Sequence, residues 1–306
     1  MAPVISKLYI YPIKSCKALE VTETQLSKCN TTSIYDRTFL VIDPDTNKQR
    51  TMRELPPMTL ITPKIVGENL EITANGKVLV VPLNPDVTKY EKRTVDVWKE
   101  LLESADLGDE AAQFFTEYLG VPSRLVYKSP NHVRPVIEHS PGVKEIGFQP
   151  ETAFADNFPI LALSEESIND VNTHLEKPVS PLNFRPNLVI SGVSKPWEED
   201  TWCLVDIRGI TYYFVCRCTR CDMPNVDPES GVKDKLQPQK TLQSVRRVDK
   251  GKKAKFFACV GINVIPSTLS GEIRVGDALE VKEVFQGERM RTGEPGWSTK
   301  AVQVGA

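Results

Sequence analysis

Hydrophobic and polar positions alternate from the first residues of the chain. Across residues 7–13, Leu8 and Ile10 fall on one side and Tyr9 and Tyr11 on the other, which predicts an opening β-strand. Residues 38–42 predict another, ended by the turn signal Asp43-Pro44-Asp45. Asn75-Gly76 sits between the apolar runs 70–73 and 77–81. Asn-Gly supplies the positive φ angles of a type I′ turn, so these runs predict a β-hairpin. Pro56, Pro57, Pro63 and Pro82 keep the intervening segments short. Near residue 94 the period changes. Val95, Trp98, Leu101, Leu102 and Ala105 recur at helical spacing with acids between them and predict a helix. Asp109 stands where an N-cap would open a second helix, with Ala112, Phe115 and Leu119 on its apolar face and Gly120 and Pro122 ending it. A third helix starts at Ser164, with Glu165 and Glu166 in its first turn and Ile168, Val171 and Leu175 on one face.

Beyond residue 185 strands return, at 188–190, 202–206, 210–215, 256–264 and 278–281. Arg208-Gly209 predicts a turn, and Val275-Gly276-Asp277 precedes the last strand. Residues 250–255 hold four lysines and read as a solvated loop. From Gln286 onward the chain is Gly, Pro and charge around an isolated Trp297, the pattern of a loosely held tail. Residues 129–152 carry Pro130, Pro135, Pro141, Gly142 and Pro150 and form the expected joint between a part ending near residue 130 and a part ending near residue 285. Both parts are mainly β with a few helices, an α+β class, and a chain of 306 residues suits about two domains.

Composition narrows the function classes. With 25% charged and 40% hydrophobic residues, wholesale disorder is excluded. A net charge of −2 leaves no global basic field, so nucleic-acid binding by charge alone is disfavoured and any anion site must be a local cluster of Lys and Arg. No stretch approaches the ~20 apolar residues that span a bilayer. The N-terminus has no basic segment before an apolar run, as a secretory signal would, and Ala2 excludes myristoylation. The expectation is a soluble intracellular protein. Its seven cysteines, an odd count with no signal peptide, point to reduced thiols.

Three of those cysteines crowd into Cys216-Arg-Cys218-Thr-Arg-Cys221, at the end of a predicted strand and before Pro224. Period-two alternation puts Cys216 and Cys218 on one face, if the strand continues, and leaves Cys221 in the loop. Arg217 and Arg220 alongside favour the thiolate, the form that binds metals or attacks electrophiles. Structural zinc wants four ligands, and only one C-x-x-C is present beside three scattered histidines, His132, His139 and His174. Zinc is thus the weaker reading, open only to a distant fourth ligand; the favoured one takes Cys216 and Cys218 as small buried hydrophobes and Cys221 as the functional thiol. Cys16, Cys29, Cys203 and Cys259 read as ordinary core or surface thiols. Basic groups recur at element ends: Lys14-Ser15 after the first strand, Arg37 before the second, and Arg185-Pro186-Asn187 before a third. Together they would suit an anionic, hydrogen-bond-rich ligand such as a phosphorylated heterocycle, although each singly is more often a surface ion pair. No Walker lysine motif, G-x-G-x-x-G or G-x-S-x-G is present. Asp156 precedes an apolar strand and could face a site or merely cap a turn.

Four blocks in order resemble the MOSC-domain proteins of the mitochondrial amidoxime-reducing component type. They are Tyr11-Pro-Ile-Lys14-Ser15-Cys-Lys17, Asp36-Arg37-Thr-Phe-Leu-Val41, Asn183-Phe-Arg185-Pro-Asn187-Leu-Val-Ile-Ser-Gly192, and Cys218-Thr-Arg-Cys221 with Val226-Asp-Pro-Glu-Ser-Gly231; Ile273-Arg-Val-Gly-Asp277 also fits. The resemblance implies a β-barrel-like N-terminal domain over residues 1–130, a β-barrel MOSC domain over 131–285, and a flexible tail over 286–306. It implies a molybdenum cofactor, in which the dithiolene of a phosphorylated pterin and one cysteine thiolate hold the metal. By its place in the motif that cysteine is Cys221. Thr219 and Arg220 would line the cofactor, and Lys14, Ser15, Arg37, Arg185 and Asn187 match positions that hold the pterin and its phosphate. Asp156 matches an acid near the metal, followed here by Asn157 where a small residue would be expected. Thiolate suits such a metal because it is a soft ligand. The implied activity is reduction of N-hydroxylated compounds, such as amidoximes, by oxygen-atom abstraction. Electrons would arrive from a cytochrome b5 and its NADH-dependent reductase, since the chain has no haem, flavin or NAD motif. The first strand begins within ten residues of Met1, leaving no room for the membrane anchor of the mitochondrial members, so the expected location is cytoplasmic, with peripheral mitochondrial association as the variant. The competing reading is a cofactor carrier or sulfur-transfer protein, because MOSC domains also occur in cofactor sulfurases. The chain carries no pyridoxal-phosphate domain of the kind attached in those proteins, so pyridoxal-phosphate binding would be a family-level label and not a property of any residue here.

Overall fold

The computed structural model describes residues 2–26, 35–251, 254–285 and 301–303. Its first half carries β1 (Val4–Ile10), β2 (Leu19–Val21), β3 (Glu23–Gln25), β4 (Phe39–Ile42), β5 (Thr62–Val66), β6 (Asn69–Ala74), β7 (Lys77–Pro82), β8 (Glu91–Val97), β9 (Glu100–Asp106), α1 (Asp109–Leu119) and β10 (Arg124–Lys128). The second carries α2 (Val143–Ile146), β11 (Ile160–Ser164), α3 (Glu165–Asn172), β12 (Leu188–Ser191), β13 (Trp202–Ile207), β14 (Ile210–Arg220), α4 (Gln239–Val245), β15 (Ala258–Pro266), β16 (Glu272–Arg274), β17 (Glu280–Phe285) and β18 (Ala301–Gln303). The class is mainly β with flanking helices, as the alternation predicts.

The largest sheet runs β18-β17-β13-β14-β15-β11-β12-β1-β2. β1 leaves its sequence neighbours to pair antiparallel with β12, Leu8 opposite Leu188. From the other side, the segment entering β17 closes on β1. Ile5 N donates to Asp277 O at 2.9 Å, and Leu279 N donates to Pro3 O at 2.8 Å. The ladder thus curls until its flanks meet, a barrel-like form joined there by a few backbone bonds and not by a continuous strand pair. Smaller sheets run β4-β10-β9-β8, β5-β6-β7 and β16-β3. One core gathers Phe39, Ile72, Phe115 and Leu125, with Val226 reaching it from the second half of the chain. Another gathers Trp202, Phe214 and Val264 with Ile5 and Leu8 of β1. Each large apolar side chain so buried contributes roughly 1.5–3 kcal/mol, and the exchange of side chains ties the halves together.

The predicted Asn75-Gly76 hairpin forms, with φ of 49° and 77° at the two turn residues. Ser164 caps α3 by accepting from Ser167 N at 3.2 Å. Gly120 ends α1 in the left-handed region at φ 70°. The cap of α1 is Gly108 and not Asp109, and its buried face is Ala111, Phe114 and Phe115, with Ala112 and Leu119 only half-buried. The helix predicted from Val95 to Ala105 is a β-hairpin, β8 paired with β9. Trp98 and Lys99 form its turn at φ 56° and 73°, and Asp96 Oδ1 accepts from Lys99 N at 2.6 Å. The supposed helical stripe fails because Trp98 and Leu101 stay 45% and 65% exposed, while Val95 and Val97 obey period two and are buried.

Other boundaries move by a few residues. The strand expected at 256–264 starts at Ala258, leaving Phe256 and Phe257 exposed, and the strand expected at 278–281 starts at Glu280. The joint at 129–152 folds back on itself: Val136 N donates to Pro150 O at 2.8 Å and Thr152 N to Arg134 O at 3.0 Å. Of the expected tail, residues 301–303 pair with β17 as a sheet edge, and the rest lies outside the described residues, as do Cys29, Lys252 and Lys253.

Candidate functional site

All nine residues singled out from the sequence, Lys14, Ser15, Arg37, Asp156, Arg185, Asn187, Thr219, Arg220 and Cys221, line one cavity of about 150 Å³. Three of them adopt a backbone that non-glycine residues rarely take: φ is 70° at Ser15, 51° at Arg37 and 56° at Arg185. Each such position costs on the order of 1–3 kcal/mol and persists only where its surroundings hold it. Here the holding is visible. Lys14 N donates to Phe39 O, Arg37 N to Tyr11 O, and Arg185 N to Leu182 O. These tight corners turn three chain segments inward at one place.

Tyr11, which the sequence reading gives a strand and a place in a motif but no role of its own, organises the basic groups. Its ring packs against the guanidinium groups of Arg37 and Arg185, each 4.2 Å from the ring centre. Buried cation–π contacts of this kind contribute about 2 kcal/mol each. Burial pushes the Tyr11 hydroxyl up to about 12, so it stays neutral and donates to Pro186 O at 3.0 Å. Asp36, fully buried and given no role of its own in the sequence reading, accepts from Arg37 Nη1 at 2.6 Å, Tyr11 N at 2.8 Å and Asn187 Nδ2 at 3.2 Å. Asn187 also donates to Tyr9 O, while its Oδ1 accepts from Arg37 Nη1 and Leu161 N. Its amide is fully engaged with protein, so Asn187 positions Arg37 instead of presenting a free group. Arg185 Nη1 donates to Cys16 O at 2.9 Å, but its Nη2 is buried with no hydrogen-bond partner among the described residues, and so is Ser15 Oγ. Burial brings Arg185 down to about 10, which leaves it a cation at neutral pH. Two unsatisfied buried groups in a cavity walled by cations are costly without a ligand, and an oxygen-rich anion is the ligand that would satisfy them.

On the opposite wall, Lys14 Nζ donates to Asp156 Oδ1 at 2.6 Å and to Phe154 O at 2.7 Å. Trp98 Nε1, at the tip of the β8–β9 hairpin, donates to the same carboxylate oxygen at 2.8 Å. Crowding by protein works against Asp156 ionising, but the Lys14 ammonium and the Trp98 N–H hold its carboxyl well below the usual carboxylate range. Burial also lowers Lys14, with Asp156 opposing that shift. Arg134 fastens the loop carrying Asp156 by donating to the carbonyls of Ala153, Ala155 and Asp156. Arg134 and Trp98 carry no motif, and nothing in the sequence placed them here.

The sulfur-bearing wall depends on strand irregularity. β14 runs on to Arg220, past its predicted end, but its register with β15 shifts between Phe214 and Cys216 and again between Arg217 and Thr219. At the second shift Val260 and Gly261 oppose Cys218 alone, a β-bulge. Gly261, at φ 78°, is required there, because a Cβ would stand 2.8 Å from Ala162 O. Arg220 Nε and Nη2 donate to the Val260 carbonyl, and Nη1 to Phe184 O, so Arg220 braces the bulge against the turn leading to Arg185. Cys216 is buried, as expected, and accepts from Asn263 Nδ2 at 3.4 Å. Cys218 departs from its expected buried place: it is half-buried and lines the cavity with Cys221. Cys221 Sγ accepts from Met223 N at 3.5 Å. Burial instead pushes the Cys16 and Cys259 thiols up to about 12. Among the described residues no three of His, Cys, Asp and Glu are grouped to hold a metal ion, so Cys221 presents one sulfur in a basic cavity and not part of a protein-only metal cage.

Residues 2–122 match the family described as the MOSC N-terminal beta barrel domain, and residues 149–280 match the MOSC domain. The chain is 35% identical over 287 residues to mitochondrial amidoxime-reducing component 1 of Mus musculus, covering 89% of this chain and 80% of that protein. It is 36% identical to mitochondrial amidoxime-reducing component 1 of Homo sapiens, over 80% of this chain and 72% of the relative. It is 34% identical to mitochondrial amidoxime reducing component 2 of Bos taurus, over 89% of this chain and 81% of the relative. With both domains matched and the likeness running through most of its length, the chain belongs to the MOSC-domain family that includes the mitochondrial amidoxime-reducing components.

Proposed function

We propose that this protein reduces N-hydroxylated compounds of the amidoxime type with a molybdenum cofactor bound in the cavity. The observation that carries the reading is the pairing of one sulfur, Cys221, with basic walls that leave Ser15 Oγ and Arg185 Nη2 buried and unsatisfied. A phosphorylated, sulfur-ligated metal group fits that donor set. Arg185 and Ser15 would hold its phosphate, Arg37 and Lys14 would add positive charge, Thr219 and Arg220 would line it, and Cys221 would ligate the metal through a soft sulfur. The chemistry supplied by such a bound group is two-electron removal of the hydroxyl oxygen, R–C(NH₂)=N–OH + 2 e⁻ + 2 H⁺ giving R–C(NH₂)=NH + H₂O. The chain's own residues hold and orient. Asp156, kept as a carboxylate by Lys14, has an Oδ2 without a partner among the described residues, placed to accept from a substrate N–H. Lys14 Nζ holds a proton beside it. An external electron donor is part of the proposal, a cytochrome b5 with its NADH-dependent reductase, as is a cytoplasmic or peripherally mitochondrial location. No helix among the described residues is long and apolar enough to cross a membrane.

Protein produced in a cofactor-making host should carry near-stoichiometric molybdenum and turn over benzamidoxime with a reduced dye. Cys221→Ser should lose at least 100-fold in turnover while keeping much of the pterin, because the phosphate and pterin contacts remain. Unchanged turnover in that variant would remove Cys221 as the ligand. Cys218, beside Cys221 on the cavity wall, supports the competing carrier or sulfur-transfer reading. Cofactor-loaded protein that never reduces benzamidoxime would favour that alternative.

A further inference from the structure

Residues 246–257 hold six lysines and arginines against one acid, in a chain whose net charge is −2. The function proposed above leaves this segment, with its lysine run, without a role. Its one acid turns inward: Asp249 is buried and accepts from Gly251 N at 2.8 Å. Arg246 turns inward too, its guanidinium 3.5 Å from the centre of the Trp197 ring and paired with Asp200 at 2.7 Å. Cys259 N donates to Arg246 O at 2.9 Å and Arg246 Nε to Cys259 O at 3.0 Å, which clamps the base of the segment to β15. Arg247, Lys250 and Lys255 are exposed instead. Arg247 Nε and Nη2 donate to Lys255 O at 3.2 and 3.1 Å, so the two basic residues stand together. Lys255 Nζ in turn lies 5.0 Å from the centre of the Phe256 ring. Phe256 and Phe257 are 60% and 44% exposed, although neighbours in a strand would alternate between inside and outside. The fold thus holds a pair of bare aromatic rings among cations, on a base that is already fixed.

We propose that this face seats on an anionic lipid bilayer, with Phe256 and Phe257 entering the headgroup region and Arg247, Lys250 and Lys255 meeting the lipid phosphates. The inference does not depend on the activity proposed above. Size decides between a membrane and a protein partner. At those exposures the two rings offer roughly 200 Å² of apolar surface, whereas a stable protein interface buries about 800 Å² on each side. A bilayer asks for less, because a small apolar insertion and the attraction of cations to anionic headgroups add together. Lysine and arginine stems also lie along the apolar boundary while their charged ends reach the headgroups.

The probe is a phosphatidylcholine vesicle with or without phosphatidylserine, sedimented with the full-length protein. Partition onto the phosphatidylserine vesicles should exceed that onto phosphatidylcholine alone by at least tenfold. It should fall as salt rises from about 0.1 M to about 0.5 M. Lys250→Gln with Lys255→Gln should weaken it about tenfold, and Phe256→Ser with Phe257→Ser by at least as much. All four side chains are exposed, so an unchanged melting temperature should show that the variants keep the fold. In Phe256→Trp, the added emission should shift to the blue on phosphatidylserine vesicles and stay unshifted on phosphatidylcholine. Equal partition onto both vesicles, or full partition by the Phe256→Ser, Phe257→Ser protein, overturns the proposal. So does capture of an acidic protein through the same residues with no partition onto vesicles, which would assign the face to a protein partner. Because the readout is the partition of the protein itself, these outcomes stand whether or not it reduces benzamidoxime.

Discussion

At the residue scale the site is a set of side chains whose neighbours decide their state. Arg37, Arg185 and Ser15 were legible because each ends or begins a predicted strand, where a basic or hydroxyl group can leave the sheet and face a cavity. The roles of Tyr11 and Asp36 were not, because their work is indirect: a ring packed against two guanidiniums, and a carboxylate fixing Arg37 and Asn187. Spacing along the chain carries no sign of that. Asp156 gives a pH test. Lys14 and Trp98 depress its carboxyl below the usual value. A depressed acid adds stability that is complete above its unfolded pKa, ~3.9, and is lost as pH falls through the folded value. The melting temperature of wild type should therefore exceed that of Asp156→Asn at pH 6–7, and the gap should shrink as the pH is lowered from 5 to 3. A gap that is constant over this range would show that the pair adds no linked stability.

At the element scale, local chemistry predicted turns and caps well and periods less well. Asn75-Gly76, Arg208-Gly209 and the Ser164 cap need only their own residues to be recognised. The β8–β9 hairpin shows the opposite case. Two strands joined by a two-residue turn placed apolar residues at spacings that mimic a helix, and the deciding fact, that Trp98 and Leu101 face outward, belongs to the packed molecule. The same hairpin is what brings Trp98 to Asp156. Its turn holds Lys99 at φ 73°, a conformation that glycine takes without the penalty of a Cβ. Lys99→Gly should stabilise the protein by about 1 kcal/mol in urea unfolding, leaving the Trp98–Asp156 contact intact. Destabilisation by a similar amount would mean that the turn does not constrain the hairpin as described.

At the scale of the whole molecule, the sequence boundary near residue 130 does not divide the sheets. β1 pairs with β12 and is met by the segment entering β17, so the largest sheet takes β1 and β2 from the first 21 residues and resumes only at residue 160. A fragment of residues 131–285 should fail to give a cooperative unfolding transition, because it lacks β1 and β2 and exposes the edge of β12 and the apolar face that Ile5 and Leu8 cover. Adding residues 2–26 in trans should restore part of the transition. A fragment that folds alone with wild-type cooperativity would show that β1 is dispensable to that sheet.

The sequence by itself determined the mainly β class, the hairpin and cap positions, the thiol-rich strand end and the residues of the basic set, because each of these follows from a residue's own backbone preference or from its neighbours in the chain. Only the tertiary structure decided that Lys14, Arg37, Arg185 and Cys221 share one cavity, that two of its polar groups lack partners among the described residues, and that Cys218 turns toward it while Cys216 does not. Those outcomes depend on strand order and on register shifts in β14. The strand order is settled by contacts between segments more than 100 residues apart, and the register by the pairing of β14 with β15; in both, packing and hydrogen-bond satisfaction override any local signal.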